Sequence, residues 1–150
     1  MSAIVLLDTG PLGLVTNPRA NQNNLECNKW LESLLANGVR VHIPEIADYE
    51  IRRELLRAKK KQGVQRLDAL KVAIGYIPLD TAMMLKAAEF WAYLRNIGQP
   101  TADNKALDGD VILAAQAAIL GRSNSTVVIA TTNVGHLNRL VPALEWKDIS

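Results

Sequence analysis

The chain opens with an unbroken apolar run, Ile4 to Leu7, which predicts a strand buried on both faces. Pro11 breaks strand pairing, and the polar stretch "TNPRANQNN" predicts a loop. From Leu25 to Ala36, the apolar residues Trp30, Leu31, Leu34 and Leu35 recur at helical spacing, and Asn37-Gly38 marks the stop. "VRVHIP" alternates and is rich in β-branched residues, so it predicts a second strand. Pro44 suits the first turn of the next helix, which is expected to run to about Lys61, with Gly63 interrupting it. Val64 to Ile74 predicts a further helix, and "GYIPLD" a third short strand with its proline near an edge. Asp80 or Thr81 can cap the helix "AMMLKAAEFWAYLRNIG", stopped by Gly98. Gln99 to Lys105 is polar and loop-like, and Asp110 to Leu120 is an alanine-rich helix ending at Gly121. "STVVIATTN" is a strand with a polar exit, and "LEWKDI" a short edge strand.

Strands alternating with helices of this length imply parallel crossovers. The expected fold is α/β, a three-layer sandwich with a central, mainly parallel sheet of four or five strands flanked by helices. Residues 1–150 form one domain, with no repeat or linker in view. In such sheets, sites form beyond the carboxyl ends of the strands. That rule directs attention to Asp8, after the first strand, and to Thr131 to Asn133, after the late one.

Composition narrows this picture. Hydrophobic residues make up 49% and aromatics only 5%, so the core must be aliphatic and alanine-rich. Cys27 is the only cysteine, which excludes an intramolecular disulfide and a cysteine-based zinc site. "MSAIVLL" lacks the basic region of a signal peptide and is too short for a membrane span, so a cytoplasmic location is expected. The net charge is only +2, yet Arg52 to Lys71 holds eight Lys or Arg against two acids. That segment carries +6 and the rest of the chain −4. Such a ridge is either a solvated helix face or a track for a polyanion.

The triplet Asp8-Thr9-Gly10 brings aspartic proteases to mind, but two such carboxyls must share a proton there, and this chain has one triplet on a mainly helical pattern. A phosphoaspartate enzyme usually carries a second Asp two residues on, where Gly10 stands. A hard divalent cation held by converging carboxylates is the better candidate. Asp8 is then a ligand, or else only a cap for the turn at Thr9-Gly10. Glu50, on the helix after strand two, either points into a cleft or pairs with Arg53 at i+3. In "LDGDVILAAQA", Asp108 is well placed as a helix N-cap, with Asp110 in the first turn. The two lie roughly 200° apart around a helix, so one metal cannot take both equally, and Asp110 is favoured.

With these residues in view, the chain resembles a PIN-domain ribonuclease of the VapC-like kind, the fold of many toxins in type II toxin–antitoxin pairs. The resemblance spans almost the whole chain and rests on "VLLDTGPL", "IPEIADYEIRREL", "DGDVILAAQAAILG" and "VVIATTNVGHL" in that order. It implies an acidic cluster of Asp8, Glu50 and Asp110, with Thr131 and Asn133 matching a strand-end Thr-x-Asn that orients the first Asp and solvent. Many members place a further Asp three residues after that Asn, where this chain has His136. Asp108 or water could complete the shell instead, and His136 is either a phosphate or metal contact or simply structural.

The activity implied is hydrolysis of RNA phosphodiester bonds with Mg²⁺ or Mn²⁺, which lowers the pKa of a bound water and offsets phosphate charge. Arg52, Arg53, Arg57, Lys59, Lys60 and Lys61 could then track the RNA backbone. The resemblance also implies a homodimer and a protein antitoxin, with no membrane. Met83, Met84, Ala87, Ala88 and Trp91 form a stripe that serves either such an interface or the core. The alternative is a non-catalytic PIN-like module that binds RNA or protein.

Overall fold

A computed structural model describes residues 3–97, 104–123, 126–135 and 137–150, with 104–106 as backbone only. Among these residues are five strands and six helices, the helices in pairs between successive strands up to β4: β1 Ala3–Leu7, α1 Thr9–Thr16, α2 Gln22–Ala36, β2 Arg40–Pro44, α3 Glu45–Arg57, α4 Lys61–Ala73, β3 Gly75–Ile77, α5 Thr81–Asn96, α6 Asn104–Leu120, β4 Thr126–Thr131 and β5 Ala143–Glu145. Short 3₁₀ turns follow β4 (Leu137–Arg139) and β5 (Trp146–Asp148).

The sheet order is β3-β2-β1-β4-β5, and every neighbouring pair is parallel. The chain therefore builds outward from β1 in one direction and then returns to build in the other. The reversal point lies between β1 and β4, where loops diverge and leave a crevice at the carboxyl ends. Leu7 pairs with Ala130 in that register, so Asp8 and Thr131 emerge side by side.

The central strand explains the opening apolar run. Val5 and Leu7 pack with Leu12, Cys27, Leu31 and Leu34 on one face. Ile4 and Leu6 pack with Leu113, Ala114, Ala117 and Ile129 on the other. With both faces covered, alternation has no function, and a continuous apolar strand results. A third cluster joins α5 to α6 through Ala87, Leu94, Leu107, Val111 and Ala115. Alanines let these two helices approach closely, consistent with the composition.

Four local expectations need correction. Thr9–Thr16 forms helix α1, which the pattern did not predict, and the expected loop shortens at both ends, to Thr16 in α1 and Gln22 in α2: Asp8 caps α1, and Pro11 sits in its first turn, where its missing N–H costs nothing. Pro44 ends β2 and occupies the cap position of α3 without a side-chain hydrogen bond. Gly63 lies inside α4; the break falls earlier, where Lys59 adopts φ +56 and the Lys60 N–H bonds back to the Leu55 carbonyl. α6 begins at Asn104, a full turn before Asp108, so Asp108 is not its N-cap. The expected stop at Gly98 and the polar loop from Gln99 fall mainly outside the described residues.

Candidate active site

Asp8 sits where β1 gives way to α1. Its Oδ1 accepts the Thr9 N–H at 2.7 Å, which is the capping bond of α1. Its Oδ2 accepts a hydrogen bond from the Thr131 hydroxyl at 2.8 Å. Thr131, 1% exposed at the end of β4, in turn accepts the Asn133 N–H at 3.0 Å. The Asp8 N–H also bonds to the Ala130 carbonyl, 3.0 Å away. Capping and site geometry are thus compatible roles for one carboxylate: one oxygen starts the helix, and the other is held by a neighbouring strand. Gly10 completes this junction, because a Cβ there would collide with the Thr132 side chain.

Glu50 projects from the middle of α3 toward α6. Its side chain is 26% exposed. Burial pushes its carboxyl above the ordinary carboxylate value, and the charges of Asp8 and Asp110 push it the same way against the pull of Arg53. Arg53 stands at 4.0 Å, so the pairing anticipated from the sequence exists but is long. Asp8 and Asp110, each more than forty residues from Glu50 in sequence, therefore both lie near enough to act on its carboxyl.

The contact that lets Glu50 approach α6 is Gly109. A Cβ at this position would lie 2.5 Å from Glu50 Oε2. Asp110, next along the helix, is half-buried. Asp108 is exposed and faces elsewhere, lining a groove with Met84, Ala88, Trp91 and Ile112 between α5 and α6. The Met83–Trp91 stripe is correspondingly divided: Met83 and Ala87 are buried, whereas Met84 and Trp91 are 46% and 40% exposed. His136 lies outside the described residues.

The donor set offered by Asp8, Glu50 and Asp110 is all oxygen and negatively charged, which fits a hard divalent ion. As the side chains stand, no group of three His, Cys, Asp or Glu among the described residues is arranged to enclose an ion. What links the three is the charge that Asp8 and Asp110 each exert on Glu50.

The basic ridge divides in two. Arg52 turns away from the site: it bonds to Asp48 at 2.9 Å and to Asp68 at 2.7 Å, and these partners hold its guanidinium firmly charged. Asp48 is itself buried and is also approached by Lys71 at 3.8 Å. Arg52 thus fastens α3 to α4. Arg53 lies over the Tyr49 ring, 5.1 Å from its centre, beside Glu50. Arg57 pairs with Glu54 at 2.8 Å. Arg57, Lys59, Lys60 and Lys61 line a groove of about 580 Å³ between the end of α1 and the α3–α4 turn. Arg19 joins them, a cation the charge pattern did not single out because it stands forty residues away. Ile51 and Leu55 form the apolar lining of the same groove.

No model of a known protein family matches the sequence, and no curated protein matches it. Solved structures do match in fold, three of them over nearly their whole length. A chain of VapBC2 from Rickettsia felis, in a crystal structure bound to a DNA fragment from their promoter, superposes with TM-score 0.72 at 19% identity, covering 95% of this chain and 98% of that one. A chain of VapBC-1 from nontypeable Haemophilus influenzae gives 0.66 at 17% identity, covering 97% and 99%. A chain of DNA-bound VapBC from Salmonella typhimurium gives 0.62 at 19%, also covering 97% and 99%. The five-stranded parallel sheet flanked by six helices is therefore a PIN-like three-layer α/β sandwich.

Proposed function

We propose that this chain is a metal-dependent ribonuclease that hydrolyses RNA phosphodiester bonds, and that it is the toxin of a toxin–antitoxin pair. The observation that carries the reading is the approach of Glu50 to Gly109, beside Asp110, with Asp8 and Asp110 both acting on its carboxyl where the sheet order reverses. Charges brought this close in a half-buried crevice are costly without a cation. Asp8, Glu50 and Asp110 would hold Mg²⁺ or Mn²⁺, which supplies a water of lowered pKa and positive charge against the phosphate. Thr131 keeps the Asp8 carboxylate aimed into the crevice, and Asn133 sets the Thr131 hydroxyl through its N–H. Arg19, Lys59, Lys60 and Lys61 give the RNA backbone a cationic path leading away along α3. The likeness to VapBC chains supports a protein antitoxin as partner, and the exposed Met84 and Trp91 suit an interface in a homodimer. Among the described residues no helix is long and apolar enough to cross a membrane.

His136, standing where many PIN-domain ribonucleases carry a further Asp, favours one other reading, a PIN-like module that binds RNA or protein without cleaving it. Incubation of single-stranded RNA with the chain separates them. Mn²⁺-dependent cleavage that EDTA stops, and that Asp8→Asn and Asp110→Asn each reduce at least about a hundredfold, supports the nuclease. Retained RNA binding with no cleavage in Mg²⁺ or Mn²⁺ supports the binding module.

A further inference from the structure

Gln116 is the one polar side chain in the apolar run "VILAAQAAIL" of α6, and it is 0% exposed. A buried amide is costly unless both its ends are bonded. Here both are. Gln116 Oε1 accepts the Ile46 N–H at 3.2 Å, and Nε2 donates to the Ile77 carbonyl at 2.8 Å. Ile46 lies in the first turn of α3, whose N–H groups have no intrahelical partner. The cap position of α3 is Pro44, which makes no side-chain bond. The acceptor thus comes from another helix, seventy residues away in sequence.

We propose that Gln116 is a positioning residue for the acidic site: by capping α3 from α6 it fixes the spacing between Glu50 and Asp110. This inference rests on the ribonuclease reading. Ile46 and Glu50 are one turn apart and share a face of α3. Asp110 lies on the same helix as Gln116, so each end of the bridge is on an element that carries a candidate ligand. The bond to Ile77 adds the end of β3 to the same junction, and Glu45 reinforces it by accepting the Leu79 N–H at 2.7 Å. Release of the α3 start would let Glu50 swing relative to Gly109 and Asp110, with the RNA groove at the far end of α3 untouched.

The test compares Gln116→Met, which keeps the length and removes both bonds, with Leu34→Val, a core change on the opposite face of the sheet. Steady-state cleavage of a single-stranded RNA in Mn²⁺ is measured alongside amide exchange. In Gln116→Met, kcat is expected to fall at least about tenfold with KM within about twofold, and exchange at Ile46 to quicken at least tenfold. Leu34→Val, at equal or greater loss of Tm, is expected to keep kcat within about twofold. Equal losses of kcat in the two variants, or no loss in Gln116→Met, overturn the proposal. If the parent chain cleaves no RNA, the nuclease reading fails separately. Faster exchange confined to Ile46 and the adjoining turn that carries Glu50 then still supports the tie between α3 and α6, and unchanged exchange overturns it.

Discussion

At the scale of single residues, the site depends on small groups that place larger ones. The Thr131 hydroxyl donates to Asp8 and accepts from Asn133, and Thr131→Val removes both bonds at nearly constant volume. The expected cost is about 1–2 kcal/mol of stability in a denaturant titration. Loss of a group that orients a ligand is expected to lower cleavage about 10- to 100-fold. Gly109 acts by lacking a side chain. Gly109→Ala favours the helix intrinsically, by about 1 kcal/mol, yet it drives a methyl group into Glu50. Cleavage should fall sharply while far-UV circular dichroism stays unchanged. Glu50 offers a pH test on the metal-free chain. Its folded-state carboxyl is raised, by burial first and then by Asp8 and Asp110. As pH rises past the ordinary carboxylate value, the unfolded chain releases its proton first, so folding stability is lost until pH passes the raised value. Glu50→Gln removes that loss. Thermal unfolding should show the variant more stable than the parent at pH 7 and no more stable at pH 3, while its cleavage activity disappears.

At the scale of elements, α3 has two jobs that the charge run in the sequence merges. Its Arg52 side locks onto α4 through Asp48 and Asp68, and its last turn opens onto the cationic groove. Arg52→Ala leaves the buried Asp48 short of a partner, with an expected cost of about 1–3 kcal/mol and little change in RNA affinity. Lys60→Ala with Lys61→Ala should do the opposite: stability within about 0.5 kcal/mol, weaker RNA binding, and a shallower salt dependence by about one unit of log–log slope per lysine. Fluorescence anisotropy at several salt concentrations, paired with denaturant titrations, distinguishes these outcomes. The division was not legible in the sequence, because a residue's partner across two helices leaves no trace in local spacing. Helix α1 was hidden for a similar reason. Its sequence, "TGPLGLVT", holds two glycines and a proline, poor helix formers, and its cap and buried face supply what propensity lacks. By contrast, β1 to β4 and the long helices α2 and α5 could be read from the apolar pattern, since their apolar faces meet the sheet or one another, whereas α6 starts six residues before the expected Asp110 and the expected last strand, "LEWKDI", keeps only Leu144 and Glu145 in β5 before a 3₁₀ turn.

At the scale of the whole molecule, the strand order places the crevice. Building outward from β1 in both directions brings the end of β1 next to the end of β4, and α3 and α6 then lean in from either side. Asp8, Glu50, Asp110, Thr131 and Asn133 were each legible as candidates from their positions after strands or on helices. Their convergence was not, nor were Gly10, Gly109 and Gln116, which matter only once elements touch. A glycine between two aspartates and a lone amide in an apolar helix were the available signals. The measurement that bears most directly on the account is a crystal structure of the chain soaked in Mn²⁺, with the metal located by anomalous scattering. The account predicts manganese in the crevice between β1 and β4, bound by carboxylate oxygens of Asp8, Glu50 and Asp110. Manganese elsewhere, on Asp108 alone, or absent from a fully accessible crevice would contradict it.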